Sequence, residues 1–547
     1  MTWTLAGGTP VQQDMAAAFV VQHRSLLDRL RLELAVQPLH SMEREHFRIE
    51  ARREGDVVHA ELRVTDGPAL RWALNVMRRW LLEGAAEPLA VEDRPQFRWR
   101  GVIEGFYGNP WTHAQRLRGV EQFADFGMNL FLLAPKDAAW QRVRWREPLS
   151  ASFVDELHAL IRAGAAHGVA VSACVSPGLS VRYSSEGDVD AVVAKFAQMH
   201  AVGARHFGLL LDDIPDTLTD EVDLARYASV AHAHADFANR VRAGLVALDP
   251  AAHVILCPMH YAGRGTEPYL QVMGDHLHPQ VELMWTGREI CSAYLDISDA
   301  VVFDRTTRRP PFYWDNYPVN DGAMARRLHI GPFHGREAGL HRYAAGLLAN
   351  PMELFEASLL PLGTVGEYLW NTERYEPWAA WDRVLADLVP DAEDRAALRE
   401  FLRNCLGLTG AWAPAFNVAL DACATAWRAG DPEGAAQAAR AHAVVIGESL
   451  ARIEHAGFSA PALRGEVQRW LTKYAQGAQL LTEFAELLAS CRPNADGGLD
   501  APRSVADGVA DLRARFNADP TLLFGDGFDM MLFTFSAEVT FVDDKVR

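Results

Sequence analysis

HFGLLLDDIPD, residues 206–216, decides how this chain is read: an apolar run ends abruptly in two adjacent carboxylates, Asp212 and Asp213. Residues 207–211 have the pattern of a strand buried on both faces, as in a parallel sheet covered by helices, and Ile214-Pro215 closes it. Neighbouring side chains on a strand point to opposite faces, so both carboxylates reach one pocket only where the strand ends and the backbone turns. The pair therefore belongs at the carboxyl rim of a sheet. Taken alone it also reads as a solvated turn or as the N-cap of the next helix, and the surrounding chain has to choose.

The same texture recurs on both sides. From Arg100 onward, short apolar runs at 101–104, 129–134, 169–175, 207–211, 254–257, 281–285, 312–314 and 344–348 alternate with amphipathic helical stretches, and several of them end in polar or aromatic residues. Strand and helix alternating in this way predict an α/β protein with a (β/α)8 TIM barrel over residues 98–375, whose site lies at the carboxyl ends of the strands. The competing doubly wound open sheet lacks a Gly-x-Gly-x-x-Gly fingerprint after its first strand. Residues 1–97 combine alternating segments with a helical pattern at Leu70, Leu74, Met77, Trp80 and Leu81, which predicts a small α/β accessory domain. EPLAVEDRPQ, with Pro88 and Pro95, reads as the linker to the barrel. Residues 376–547 form a mainly helical domain. Its clearest stripe, Val467, Trp470, Leu471, Tyr474, Leu481, Phe484 and Leu488, fits a bundle interior or, failing that, a partner surface through which the chain forms a homo-oligomer. Residues 493–502 read as a loop, and 522–542 are apolar enough to dock.

Composition narrows the partners. The 547 residues are 49% hydrophobic and 23% charged, as in a globular protein, and carry a formal net charge of −18. Such an acidic chain is no phosphate-backbone binder, so nucleic acid is excluded as a partner. No apolar run approaches the roughly 20 residues that span a bilayer, so no membrane contact is expected. The start, MTWTLAGGTPVQQDM, has neither a basic region nor an apolar core of a signal peptide. The six cysteines are widely spaced with no Cys-x-x-Cys, which fits reduced thiols in a cytoplasmic protein and suggests neither a metal site nor a cofactor.

The residues at the predicted strand ends form a chemically coherent set: carboxylates Asp212, Asp213 and Asp321, hydrogen-bonding Lys136, Tyr261, Asn316 and Asn350, and aromatic Tyr107, Trp285 and Trp314. Carboxylates, amides and flat aromatic faces suit a sugar, with hydroxyls around its edge and C–H surface on its faces. Glycoside hydrolysis needs a proton donor at the leaving oxygen, and two close carboxylates push their pKa values apart so that one stays protonated.

At these residues the chain resembles glycoside hydrolase family 84, which contains O-GlcNAcases and other β-N-acetylglucosaminidases. The motifs that carry the resemblance are, in order, RGVIEGFYGNPW (100–111), MNLFLLAPKD (128–137), SPGL (176–179), FGLLLDDI (207–214), LMWTGREI (283–290), FYWDNYPVND (312–321), IGPFHGR (330–336) and GLLANP (346–351). The resemblance implies that Asp213 is the general acid/base and that Asp212 orients and polarises the 2-acetamido group. It implies that Tyr261 bonds the acetamido oxygen, that Trp314 walls the acetyl pocket with Asn316 beside it, that Gly105, Lys136, Asp321 and Asn350 hold sugar hydroxyls, and that Tyr107 lines the pocket. Ser180 departs from the family pattern, where an Asp often follows Ser-Pro-Gly-Leu, and Met259-His260 precede Tyr261 where the family varies.

The function implied is a retaining exo-β-N-acetylglucosaminidase that acts on a GlcNAc-containing glycoconjugate, such as an O-GlcNAc-modified protein, by substrate-assisted catalysis. A hyaluronidase-like or chitooligosaccharide-directed hexosaminidase is the near alternative. A metal-dependent amidohydrolase-like barrel needs His-x-His at the end of its first strand, where Glu104-Gly105-Phe106-Tyr107 stand; His232/His234 fall in a helical pattern and His276/His278 in a loop. A non-catalytic sugar-binding scaffold leaves the Asp212-Asp213 pair without a purpose.

Overall fold

Along Val57–Val64 every second residue is buried, as a strand with one face on a core requires. In the computed structural model of this chain that strand is β4 of a five-stranded sheet with β1 (Thr2–Gly7), β2 (Arg31–Pro38), β3 (Phe47–Glu54) and β5 (Leu89–Asp93), in the order β1-β2-β4-β3-β5. The structure describes residues 2–27, 30–406, 414–493, 499–524, 528, 531–532, 535 and 540–542. The helix Gly67–Leu82 starts where Asp66 accepts the Ala69 N–H and Pro68 occupies the first turn. Its apolar face, from Leu70 to Leu81, packs on the sheet's core. The stretch expected to be a linker contains β5 instead. Between Pro88 and Pro95, Leu89–Asp93 can alternate sides, and it pairs antiparallel with the exposed side of β3.

The eight apolar runs become eight parallel strands in a closed barrel: β6 (Trp99–Glu104), β7 (Leu130–Leu133), β8 (Ala170–Val175), β9 (His206–Leu210), β10 (His253–Cys257), β11 (Val281–Trp285), β12 (Phe312–Asp315) and β13 (Gly346–Ala349). Closure comes from β13 pairing with β6, Ala349 opposite Val102. Ile103, Leu132, Cys174, Leu210, Ile255, Met284, Phe312 and Leu348 fill the interior together. Gly208, inside the apolar run of β9, has a physical reason: a Cβ there would lie 2.2 Å from Cys174 Sγ across the β8–β9 pair. The strands are buried on both faces, so they show continuous apolar runs rather than alternation.

The chain divides into two compact units. One comprises Met1–Tyr317, Phe333–Pro351 and Leu362–Glu376; the other comprises Pro318–Pro332, Met352–Pro361 and Pro377–Arg547. The second is mainly helical, and in its helix Gln468–Ala489 Trp470, Leu471, Tyr474, Leu481, Phe484 and Leu488 are buried. The stripe is thus consumed by the unit's own core. Of the expected loop at 493–502, residues 494–498 lie outside the described residues, while Arg492–Pro493 and Leu499–Pro502 pair as short strands. Within 522–542, Phe524, Phe528, Leu532 and Phe535 are buried; much of the remainder lies outside the described residues. Among the described residues, no helix is long and apolar enough to cross a membrane.

Candidate active site

Strand periodicity builds the site. Ile103, Ala134, Leu210 and Leu348 point into the barrel, so residues two further on, Gly105, Lys136, Asp212 and Asn350, point the same way just beyond the strand ends. All four are buried. Trp314, on β12, belongs to the interior set as well. Trp285 does not: Met284 takes the inward position on β11, and the same alternation turns Trp285 outward, fully buried and stacked on Phe303 at 4.9 Å. The expectation that Trp285 contributes an aromatic face to the pocket is therefore corrected.

Asp213 breaks the alternation. Its φ of 53° is left-handed, a conformation that Asp tolerates better than most side chains. The turn brings its carboxylate to the same side as that of Asp212, where Oδ2 accepts from Tyr107 Oη and Oδ1 from Tyr261 Oη, both at 2.8 Å. Lys136 lies between the two acids, bonded to Asp212 Oδ2, with its Nζ 3.9 Å from Asp213 Oδ2. The other oxygen of Asp212, Oδ1, is buried and has no hydrogen-bond partner among the described residues. A buried unpaired acceptor on a carboxylate is costly unless something donates to it.

The electrostatics follow from these contacts. Burial works against the charge of Lys136, but Asp212 outweighs it and holds the ammonium above its ordinary value. Burial also pushes Asp213 up, yet Lys136, the two tyrosine hydroxyls and Arg142 together hold its carboxyl below the usual carboxylate range. In the free site Asp213 is thus held toward its charged form, where the sequence alone suggested that one carboxyl of the pair stays protonated.

One wall is a chain of amides. Asn350 accepts the Gly105 N–H at 3.1 Å and donates to Asn316 Oδ1 at 2.9 Å, which also accepts Trp314 Nε1 at 2.9 Å; Asn316 donates in turn to the Ile290 carbonyl at 2.8 Å. Gly105 is required there, because a Cβ would sit 2.3 Å from Trp314 Cζ2. Lys136 Nζ lies 5.3 Å from the Trp314 ring centroid, within cation–π range. Tyr107 is 40% exposed and marks the open side. Asp321, half-buried at the head of the short 3₁₀ turn Gly322–Met324, belongs to the second compact unit, whereas the other expected site residues belong to the first.

Of the two departures from the family pattern, Ser180 accepts from Trp145 Nε1 at 3.0 Å and Arg146 Nη1 at 3.2 Å, and His260 stacks on Tyr269. His234 is buried between the hydroxyls of Tyr183 and Tyr269. Sequence reading does not single out Arg142, which donates to the Asp213 carbonyl and the Tyr107 hydroxyl. It lies in a run of turns after β7 with no periodic or motif signal of its own.

Comparison with known proteins bears on the same region. Residues 100–403 match the sequence model of a family described as NAGidase, β-N-acetylglucosaminidase. The protein O-GlcNAcases of Rattus norvegicus and Mus musculus are each 31% identical over 274 residues, 49% of this chain and 29% of theirs. The alignment thus spans under a third of either relative's length. Among solved structures, a mutant of the Thermobaculum terrenum O-GlcNAc hydrolase superposes with a TM-score of 0.74 at 28% identity, covering 80% of this chain and 94% of that one. CpGH84B superposes over 97% of this chain and 96% of its own with a TM-score of 0.80, and at 19% identity it speaks for the fold alone. With more than half of its length inside the family match, on the barrel that holds the paired aspartates, the chain belongs to the β-N-acetylglucosaminidases of glycoside hydrolase family 84.

Proposed function

We propose that this chain is a retaining exo-β-N-acetylglucosaminidase that removes terminal β-linked GlcNAc from glycoconjugates, O-GlcNAc-modified protein among them, with the substrate's own acetamido oxygen as nucleophile. The observation that carries this reading is the orphaned Oδ1 of Asp212. Its partner oxygen is committed to Lys136, which leaves Oδ1 as one directed acceptor. An acetamido N–H fits that acceptor. As the acetamido oxygen attacks the anomeric carbon, positive charge builds on the nitrogen, and the carboxylate stabilises it where it forms.

Asp213 protonates the departing oxygen and then, as a carboxylate, takes a proton from the water that opens the oxazoline. Two inversions at one carbon return the β configuration. In this reading Tyr261 steadies the acetamido oxygen, and Trp314 walls the acetyl group with Asn316 beside it. Tyr107 lines the entrance. Lys136, Gly105 and Asn350 hold ring hydroxyls. Asn350 has both amide atoms engaged with the protein and one N–H still to give. No step calls for a metal or cofactor. Among the described residues no disulfide joins the cysteines, which fits a reducing, cytoplasmic setting.

A series of substrates with zero to three fluorines on the acetyl methyl tests the nucleophile, because fluorine drains the carbonyl oxygen of electron density with little change in shape. We expect kcat/KM to fall steeply along the series and NMR to show β product first. A flat series, or α product, would assign the attack to water or to a protein carboxylate. Comparing GlcNAc-peptide, chitobiose and hyaluronan fragments then identifies the aglycone.

A further inference from the structure

Arg142 closes a ring around Asp213. One arm of its guanidinium, Nη2, donates to the Asp213 carbonyl at 2.7 Å, the other, Nη1, donates to Tyr107 Oη at 2.9 Å, and Tyr107 passes its own proton to Asp213 Oδ2 at 2.8 Å. The ring thus grips one residue at two points, its main chain and its carboxylate. The main-chain point is the one that needs holding, since Asp213 is left-handed at φ 53°, where a non-glycine residue stays only if its surroundings keep it. A guanidinium is suited to this task because its donors form a rigid planar fork, whereas an ammonium is a single point on a flexible stem. Besides Arg142 and Tyr107, the charged and titratable groups that act on the Asp213 carboxylate among the described residues are Lys136 and Tyr261.

We propose that Arg142 is a positioning residue for the proton-transfer step: its fork sets both the turn that brings Asp213 into the site and the direction in which the carboxyl meets the leaving oxygen. This rests on the reading of Asp213 as the acid/base. Arg142 touches neither sugar nor reacting atoms in this scheme. It acts through Asp213 and Tyr107.

The test uses the full chain and a series of β-N-acetylglucosaminides whose leaving groups range from acidic phenols to alkyl alcohols. A misdirected acid hurts the alcohols, which need a proton to depart, and spares the phenols. For Arg142→Met we expect kcat/KM to drop about 10- to 100-fold on alkyl substrates and less than about threefold on the most acidic phenol, since general acid catalysis supplies about 10²–10⁴. Arg142→Lys, which keeps the charge without the fork, should fall within about threefold of Arg142→Met. The double variant with Tyr107→Phe should lose less than the product of the two single losses, because both act through one hydroxyl. Equal losses across the leaving groups, or fully multiplicative losses in the double variant, overturn the proposal. Should Arg142→Met fail to fold in a thermal melt, Arg142→Lys and Tyr107→Phe carry the same comparison. Asp213→Asn on the same series separates the two ideas. If it shows no leaving-group dependence, the acid/base reading itself falls; if it does and the Arg142 variants do not, only the role of Arg142 falls.

Discussion

Tyr261 has one hydroxyl proton and two acceptors that compete for it. In the free site the proton goes to Asp213 Oδ1, and in the proposed complex it goes to the acetamido oxygen. Substrate binding therefore strips a donor from a carboxylate that Lys136, the two tyrosines and Arg142 hold below its usual range despite burial, and the affinity of Asp213 for its own proton rises as the sugar enters. The sign is definite. The acid must be protonated to work, so activity fails on the alkaline side of its pKa, and that limit lies lower in the free enzyme than in the complex. We expect the alkaline limb of kcat/KM to fall at lower pH than that of kcat. Tyr261→Phe removes the donor from the free enzyme, so the kcat/KM limb should move upward while the kcat limb stays nearer its place. Coincident limbs in the parent enzyme would remove Tyr261 from this role.

At the scale of elements, the site is held by what the strand ends do on their outer side. Glu104, the last residue of β6, turns away from Gly105 and takes a two-point ion pair from Arg116 at 2.6 and 2.7 Å. On β12 Asp315, between Trp314 and Asn316, does the same with Arg336 at 2.6 and 2.8 Å. Both members of that second pair are nearly solvent-free, 2% and 6% exposed in their side chains. Breaking it from one side strands a charge, so Arg336→Met should cost about 3–5 kcal/mol in urea melts, whereas removing both charges, Asp315→Leu with Arg336→Met, should cost much less. If the single variant is neutral, the pair does not anchor the strand end. The pocket side and the anchor side are one device, since alternation along a single strand supplies both.

For the whole molecule the long-range field matters more than any pair. A net charge of −18 repels anionic ligands and leaves neutral ones unaffected, and salt screens this beyond about 8–10 Å. We expect kcat/KM on hyaluronan fragments to be low and to rise as ionic strength is raised from about 0.01 to 0.15 M, while kcat/KM on a neutral GlcNAc glycoside stays flat. Stopped assays across a salt series check this, and a hyaluronan rate that falls with salt would reveal a local basic track that the net charge hides.

By itself the sequence determined the eight barrel strands and their order, because each rests on an apolar run of three to seven residues that folds the same way wherever both faces are covered. It also placed Asp212 and Asp213 where a backbone turn was needed. Only the tertiary structure decided the rest, since those features join residues far apart in the chain: 245 positions between Gly105 and Asn350, 71 between Arg142 and Asp213. The outward position of Trp285 depends on which of two adjacent residues the closed barrel takes in, and a run apolar throughout does not say. β5 was hidden because an edge strand between prolines looks like a linker until β3 pairs with it. Arg142 was hidden for the deepest reason: a lone arginine among turns carries no local pattern, and its meaning arises only where barrel closure brings it against the strained carbonyl of Asp213.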